Sequence, residues 1–195
     1  MPRLTPPVVP SGSLGRSEQP EISVDVSVRL RPWASYDAVA VRSAFADPDI
    51  QRWHLMRMDS EIEADEWIAR ARSSWREESV GSWVIGAQDS SEVFGRISLY
   101  LKDLRTGIGE VTYWVLPDAR GSQLASRAAS ALSEWAFDVA GLHRIELLHS
   151  ALNPASCRVA ERAGFLVEGT SRSALLHVDG WHDMHVHSRL ASDPR

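Results

Sequence analysis

The chain has 195 residues, 44% of them hydrophobic, and a net charge of −5 at pH 7. That supports one buried core rather than two comfortable domains, and the acidic balance excludes non-specific binding to a nucleic-acid backbone as the main task. A single cysteine, Cys157, excludes an internal disulfide, and no run of about 18 apolar residues offers a membrane span, so a cytoplasmic protein is expected.

Residues 1–21 are rich in Pro, Ser and Gly without a sustained period and predict a disordered tail. Ile22, Val24, Val26, Val28 and Leu30 alternate with polar or small residues, predicting a strand that ends at Pro32 and Trp33. Residues 34–46 predict a helix. Ser60, with Glu63 three positions on, predicts the capped start of a second, which carries Ile68, Ala71 and Trp75. The connection DPDIQRWHLMRM reads as a loop whose Trp53, His54, Leu55, Met56 and Met58 either pack on the core or line a pocket. Strand-like runs at 82–87, 93–100 and 110–116, joined by short polar turns, predict an antiparallel meander.

An amphipathic helix is predicted over 121–140, with Leu124, Ala128, Ala131, Leu132, Trp135 and Val139 on one face and Gly141 as its stop. A strand at 143–149 follows, then a short helix opened by Asn153 as cap and Pro154 at its first position. Two last strands, 165–178 and 181–190, join through Asp179 and Gly180. The order β-α-α-β-β-β-α-β-α-β-β predicts an α/β fold: a mixed central sheet of about seven strands with helices on both faces. The domain is expected over 22–190, with a C-terminal tail at 191–195.

The turn between strand 110–116 and its helix carries the chemistry. A helix start presents unpaired N–H groups and the positive end of the macrodipole, which suits a phosphate. Gly121 lets the backbone approach a bulky anion, Arg120 adds charge, and Ser122 and Ser126 offer hydroxyls.

Four segments in order, RLRPW (29–33), EVTYWVLPDARGSQLA (110–125), HRIELLHSALNPAS (143–156) and ERAGF (161–165), resemble the GNAT acyltransferases, and especially their RimJ/RimL-like branch. The resemblance covers roughly 22–190 and implies transfer of an acetyl or related acyl group from acyl-coenzyme A to an amine, either a protein N-terminus or a small molecule. It implies that Arg120, Gly121, Ser122, Gln123, Leu124 and Ala125 hold the coenzyme A pyrophosphate. Trp114, Val115 and Leu116 would flank the pantetheine arm, and Asn153 would reach its amides. A homodimer is compatible with it. Gln123 stands where the family has a glycine, which leaves open a different donor, such as a carrier protein or a charged tRNA, or a module that binds coenzyme A without catalysis.

Glu110 is the candidate general base, because a protonated amine must lose a proton before it attacks a thioester. Ala160 occupies the place of the tyrosine that many relatives use as general acid, and Ser156 is the nearest matching hydroxyl. Trp53, Trp83 and Trp114 are candidates for the wall of an acceptor pocket. No metal is expected: His185 and His187 share one strand face, but no Cys or acidic ligand spacing accompanies them. Cys157 reads as an inert thiol.

Overall fold

In the computed structural model, which describes residues 4–194, eight strands form one mixed sheet. The elements are β1 (Ile22–Ser23), β2 (Val28–Pro32), α1 (Ala38–Ala46), α2 (Pro48–His54), α3 (Glu61–Arg76), β3 (Val80–Ala87), β4 (Val93–Asp103), β5 (Ile108–Val115), α4 (Leu124–Asp138), β6 (Arg144–Ser150), α5 (Pro154–Arg162), β7 (Leu166–His177) and β8 (Gly180–Leu190). The strand order is β1-β2-β3-β4-β5-β6-β8-β7.

Local chemistry accounts for most of these boundaries. Ser60 Oγ accepts the N–H of Glu63 at 3.2 Å at the head of α3, while Glu63 accepts the N–H of Asp59 at 2.7 Å rather than that of Ser60. Asn153 caps α5 by accepting the N–H of Ser156 at 3.1 Å. The expected single strand over 22–30 is instead a tight hairpin, β1 pairing antiparallel with β2, which raises the strand count to eight. Asp25 makes the turn: its carboxylate accepts the N–H groups of Ser27 and Val28 at 2.8 and 3.1 Å.

The expected loop after α1 contains α2. Asp47 accepts the N–H of Ile50 at 2.9 Å and Pro48 occupies the first turn, so Asp-Pro here is a helix start. The expected helix over 34–46 opens with a 3-10 turn, Ser35–Asp37. Asp37 there is buried and accepts two hydrogen bonds from buried Arg31, at 2.7 and 2.8 Å.

The described part of the expected tail is packed rather than disordered. Val9 and Leu14 are buried in the core, and the N–H groups of Val8 and Val9 donate to the carbonyls of Arg105 and Leu104. Glu78 accepts N–H groups from Gly12, Leu14 and Gly15, and the indole N–H groups of Trp75 and Trp83 donate to the carbonyls of Ser17 and Pro20. A segment without periodicity is held here by side chains from distant elements. Residues 1–3 of that tail, and Arg195 of the C-terminal one, lie outside the described residues.

Alternation along the strands sorts the core into two layers. Val84 and Trp114 face α1–α3 with Trp33, Phe45 and Trp67, whereas Ile85 and Val111 face the layer that holds Leu132, Ala136 and Ile145. The helix α4 returns the chain so that β5 and β6 run parallel, as a crossover requires. Their pairing covers only Ile108–Glu110 against Arg144–Glu146, although β5 runs on to Val115 and β6 to Ser150. The strands part beyond Glu110, and a cleft opens between them. No helix among the described residues is long and apolar enough to cross a membrane.

Candidate active site

The cleft has a volume of about 770 Å³ and is walled by β5, β6, α2, α5 and the turn that starts α4. Glu110 sits where β5 and β6 stop pairing. Lys102 Nζ donates to both Glu110 and Glu146, at 3.0 Å each. Because β5 alternates, Glu110, Thr112 and Trp114 belong to the face toward α1–α3, and Val111, Tyr113 and Val115 to the opposite face. Thr112 Oγ1 and Trp114 Nε1, both on cleft-lining residues, are buried without a protein partner.

On the opposite face the Tyr113 hydroxyl and Ser156 Oγ lie 2.6 Å apart. Enclosure in the cleft wall pushes the Tyr113 phenol up to about 12, so it remains a proton donor at neutral pH. His54, the last residue of α2, donates from Nε2 to the Tyr113 carbonyl at 2.8 Å. Burial, reinforced by the nearby Arg96 guanidinium, lowers His54 to about 4, so its ring is neutral. Tyr113, not a residue before the closing Gly-Phe, is the hydroxyl nearest Ser156, and its only signal in the sequence is the strand alternation that puts it on the other face from Glu110. His54 lies in an apolar segment that carries no motif.

Asp47, Ser60 and Asn153 cap α2, α3 and α5 with a side chain, whereas Gln123 at the head of α4, like Asp37 at the head of α1, makes no such bond. Helix α1 continues directly from the 3-10 turn Ser35–Asp37, but α4 starts from the Gly121–Gln123 turn with no side-chain partner for its first N–H groups, as an anion-binding helix start requires. Gly121 has φ +80°, and a Cβ built there would meet nothing within 4 Å. Gln123 has φ +60°, a left-handed conformation that favours glycine. The residues present fit a coenzyme A pyrophosphate.

Most of the residues singled out from sequence gather here. Trp53, Glu110, Trp114, Val115, Arg120, Gly121, Gln123, Leu124, Ala125, Asn153 and Ser156 line the cleft. Ser122 instead donates its hydroxyl to the Ala119 carbonyl at 2.7 Å, and Leu116 packs against the α1–α3 core. The Trp114 ring is itself largely core, 6.2 Å from Trp33 and 6.1 Å from Phe45. Trp83 does not reach the cleft. It is fully buried on the α4 side, edge-on against Trp75 and Trp135, and β4 stands between it and β5: its register partner is Ile97, which in turn pairs with Tyr113. Arg120 is engaged: it donates to Asp47 at 2.8 Å, to Asp49 at 2.9 Å and to the Val115 carbonyl at 3.2 Å, tying the α4 turn to the start of α2.

Comparison with known proteins agrees with this geometry. The chain is 26% identical over 160 residues to the uncharacterized N-acetyltransferase YoaA of Bacillus subtilis, spanning 82% of this chain and 90% of that protein. It is 34% identical over 88 residues to the putative ribosomal N-acetyltransferase YdaF of Bacillus subtilis, 45% of this chain and 48% of that one. Its fold superposes on a RimL ribosomal L7/L12 α-N-protein acetyltransferase in complex with coenzyme A, with a TM-score of 0.79 at 19% identity, covering 89% of this chain and 100% of that one. Residues 27–166 match the acetyltransferase (GNAT) domain, and with the parted β5 and β6 and the uncapped α4 turn, this chain belongs to the GNAT acetyltransferase family.

Proposed function

We propose that this enzyme transfers an acetyl group from acetyl-coenzyme A to the α-amine of a polypeptide N-terminus. The observation that carries the reading is the division of labour across β5, with a carboxylate and orphaned polar groups on one face and a buried hydroxyl pair on the other. The donor enters with its pyrophosphate at the α4 turn and its thioester near the point where β5 and β6 part. The acceptor amine approaches on the face of Glu110, which takes its proton directly or through water. Nitrogen then attacks the thioester carbonyl, the C–S bond breaks, and the Tyr113–Ser156 pair hydrogen-bonds the departing thiolate and supplies a proton.

A polypeptide is favoured over a compact amine by the rim. Leu55 and Met56 after α2, and Leu175, Leu176, Val178 and Trp181 on the β7–β8 hairpin, are all exposed apolar side chains. They extend the acceptor side of the cleft along the edge of the sheet, which suits an extended chain. The putative ribosomal N-acetyltransferase among the relatives is consistent with this acceptor. The other end of β7, with exposed Leu166 and Val167, supports a homodimer contact, and a cytoplasmic setting goes with the reading. The test is release of free thiol from acetyl-coenzyme A with a panel of short peptides starting in Ser, Ala or Met, beside small primary amines, with acetylated products identified by mass. Turnover of peptides with higher kcat/KM than any small amine is expected. Turnover confined to small amines would refute the acceptor, and none with any amine would refute the catalysis.

A further inference from the structure

We propose that His149, His185, His187 and Cys157 form a zinc site that pins β6, β8 and α5 together. In the antiparallel pairing of β6 with β8, His149 stands directly opposite His185, and His187 opposite Leu147. Opposed residues share a face, as do residues two apart on a strand, so all three imidazoles lie on one side of the sheet. Cys157 comes to them from α5. One potential ligand atom from each of the four residues lies within 4.8 Å of the others.

The hydrogen bonds around these atoms are few, and Cys157 Sγ makes only a long one, donating to Glu161 at 3.5 Å. His149 Nδ1 donates to the Ser150 carbonyl at 2.8 Å, which fixes its tautomer and leaves a lone pair on Nε2. That Nε2 lies 3.1 Å from Nε2 of His187. Two nitrogens bound to one tetrahedral zinc at about 2.0–2.1 Å sit roughly 3.3 Å apart, so a small adjustment would bring both to a common ion. The Nδ1 atoms of His185 and His187 are buried without a protein hydrogen bond. His187 as a residue is only 1% exposed.

The other two histidines of the region are already engaged. His182 binds Ser150 Oγ at 2.9 Å and Asp179 at 2.8 Å, and His177 packs on His182 and Trp53. The site therefore takes His185 and His187 from the C-terminal run of histidines and leaves His177 and His182 out.

Three imidazoles and a thiolate are a borderline-soft donor set that suits zinc and disfavours calcium and magnesium. Four protein ligands fill a tetrahedral shell, so the role is structural. On binding, the Cys157 S–H bond breaks, sulfur bonds the metal and the proton goes to solvent. Cys157 directly follows Ser156, and His149 lines the cleft, so the ion would hold α5 in the register that sets Ser156 against Tyr113. The sequence suggests no such site because its ligands come from three separate elements.

The test uses the full chain, freed of any affinity tag and stripped with a chelator, with zinc and cobalt(II) as probes. One zinc per chain is expected. The cobalt complex should show the thiolate-to-metal charge-transfer band and the intense visible bands of a tetrahedral site. Cys157→Ser should abolish the charge-transfer band, and both Cys157→Ser and His185→Gln should weaken zinc binding by at least about tenfold. Zinc should raise the melting temperature of the parent chain more than that of either variant, with circular dichroism confirming that both variants fold. Absence of stoichiometric binding, or equal affinity in the parent and both variants, would overturn the proposal. These readouts do not depend on acetyl transfer, so they stand or fall separately from the proposed function.

Discussion

Gln123 holds a conformation that a glycine would adopt freely, which makes the α4 turn a place to measure what the sequence departure costs. A non-glycine residue in the left-handed region costs about 1–2 kcal/mol. Glycine returns roughly 0.4–1 kcal/mol of that through its greater freedom in the unfolded chain. Gln123 makes no capping bond whose loss would offset the gain. Gln123→Gly should therefore stabilise the protein by about 0.5–1 kcal/mol, a rise in Tm of about 1–4 °C for a domain of this size. Gly121→Val is the converse. At φ +80° the added Cβ meets no neighbour within 4 Å, so its cost is backbone torsion rather than collision, and a β-branched residue carries it worst. A loss of about 2 kcal/mol or more and a fall in Tm of about 4–8 °C are expected. Thermal unfolding followed by circular dichroism reads both, and titration with acetyl-coenzyme A reads the cradle: Gly121→Val should raise the donor KM strongly, and Gln123→Gly should leave it unchanged or lower it. A Gln123→Gly protein that melts below the parent, or a Gly121→Val protein that binds the donor equally well, would refute the reasoning.

Three further outcomes test the cleft. Glu110→Gln keeps the shape of the side chain but not its basicity, so kcat should fall by about 10²- to 10⁴-fold with donor binding little changed and partial recovery at high pH; an unchanged kcat at neutral pH would assign proton removal to ordered water. Tyr113→Phe and Ser156→Ala should each lower kcat by roughly tenfold, and the double variant should be no slower than the worse single one, because the two hydroxyls act as one unit; additive losses would show that they act separately. His54 is held at about 4 in the folded chain, below its ordinary 6.5, so between those values the unfolded chain binds a proton that the folded chain refuses. Stability should fall as the pH drops through that window, by at most about 3 kcal/mol from this residue, and His54→Gln, which retains a donor for the Tyr113 carbonyl, should show a shallower loss in denaturant titrations; an identical slope would contradict the burial of the imidazole.

What could be read in advance was local. Strand-like runs located β3 through β8, and the Ser60 and Asn153 caps located two helix starts. The errors arose where a local signal had two meanings. Alternation from Ile22 to Leu30 does not distinguish one strand from a hairpin until Asp25 is seen binding the N–H groups of Ser27 and Val28. Asp47-Pro48 in an apolar connection reads as a loop and is equally a helix start. Tryptophan in a strand announces burial, but its place in the strand order decides whether it walls a cleft, and β4 separates Trp83 from β5.

The sequence by itself determined most of the elements, their order, the glycine-bearing turn and the motifs of the family, because each of these rests on residues within a few positions of one another. Tertiary structure alone decided what those residues meet. It tied Arg120 to Asp47 and Asp49, set Tyr113 against Ser156, placed Lys102 between Glu110 and Glu146, packed the N-terminal segment beneath Glu78, and gathered Cys157 to three histidines. Contacts of this kind join residues from different elements, many of them tens of positions apart, and leave no period in the chain. They come into being only when strands pair in register and helices settle on the sheet.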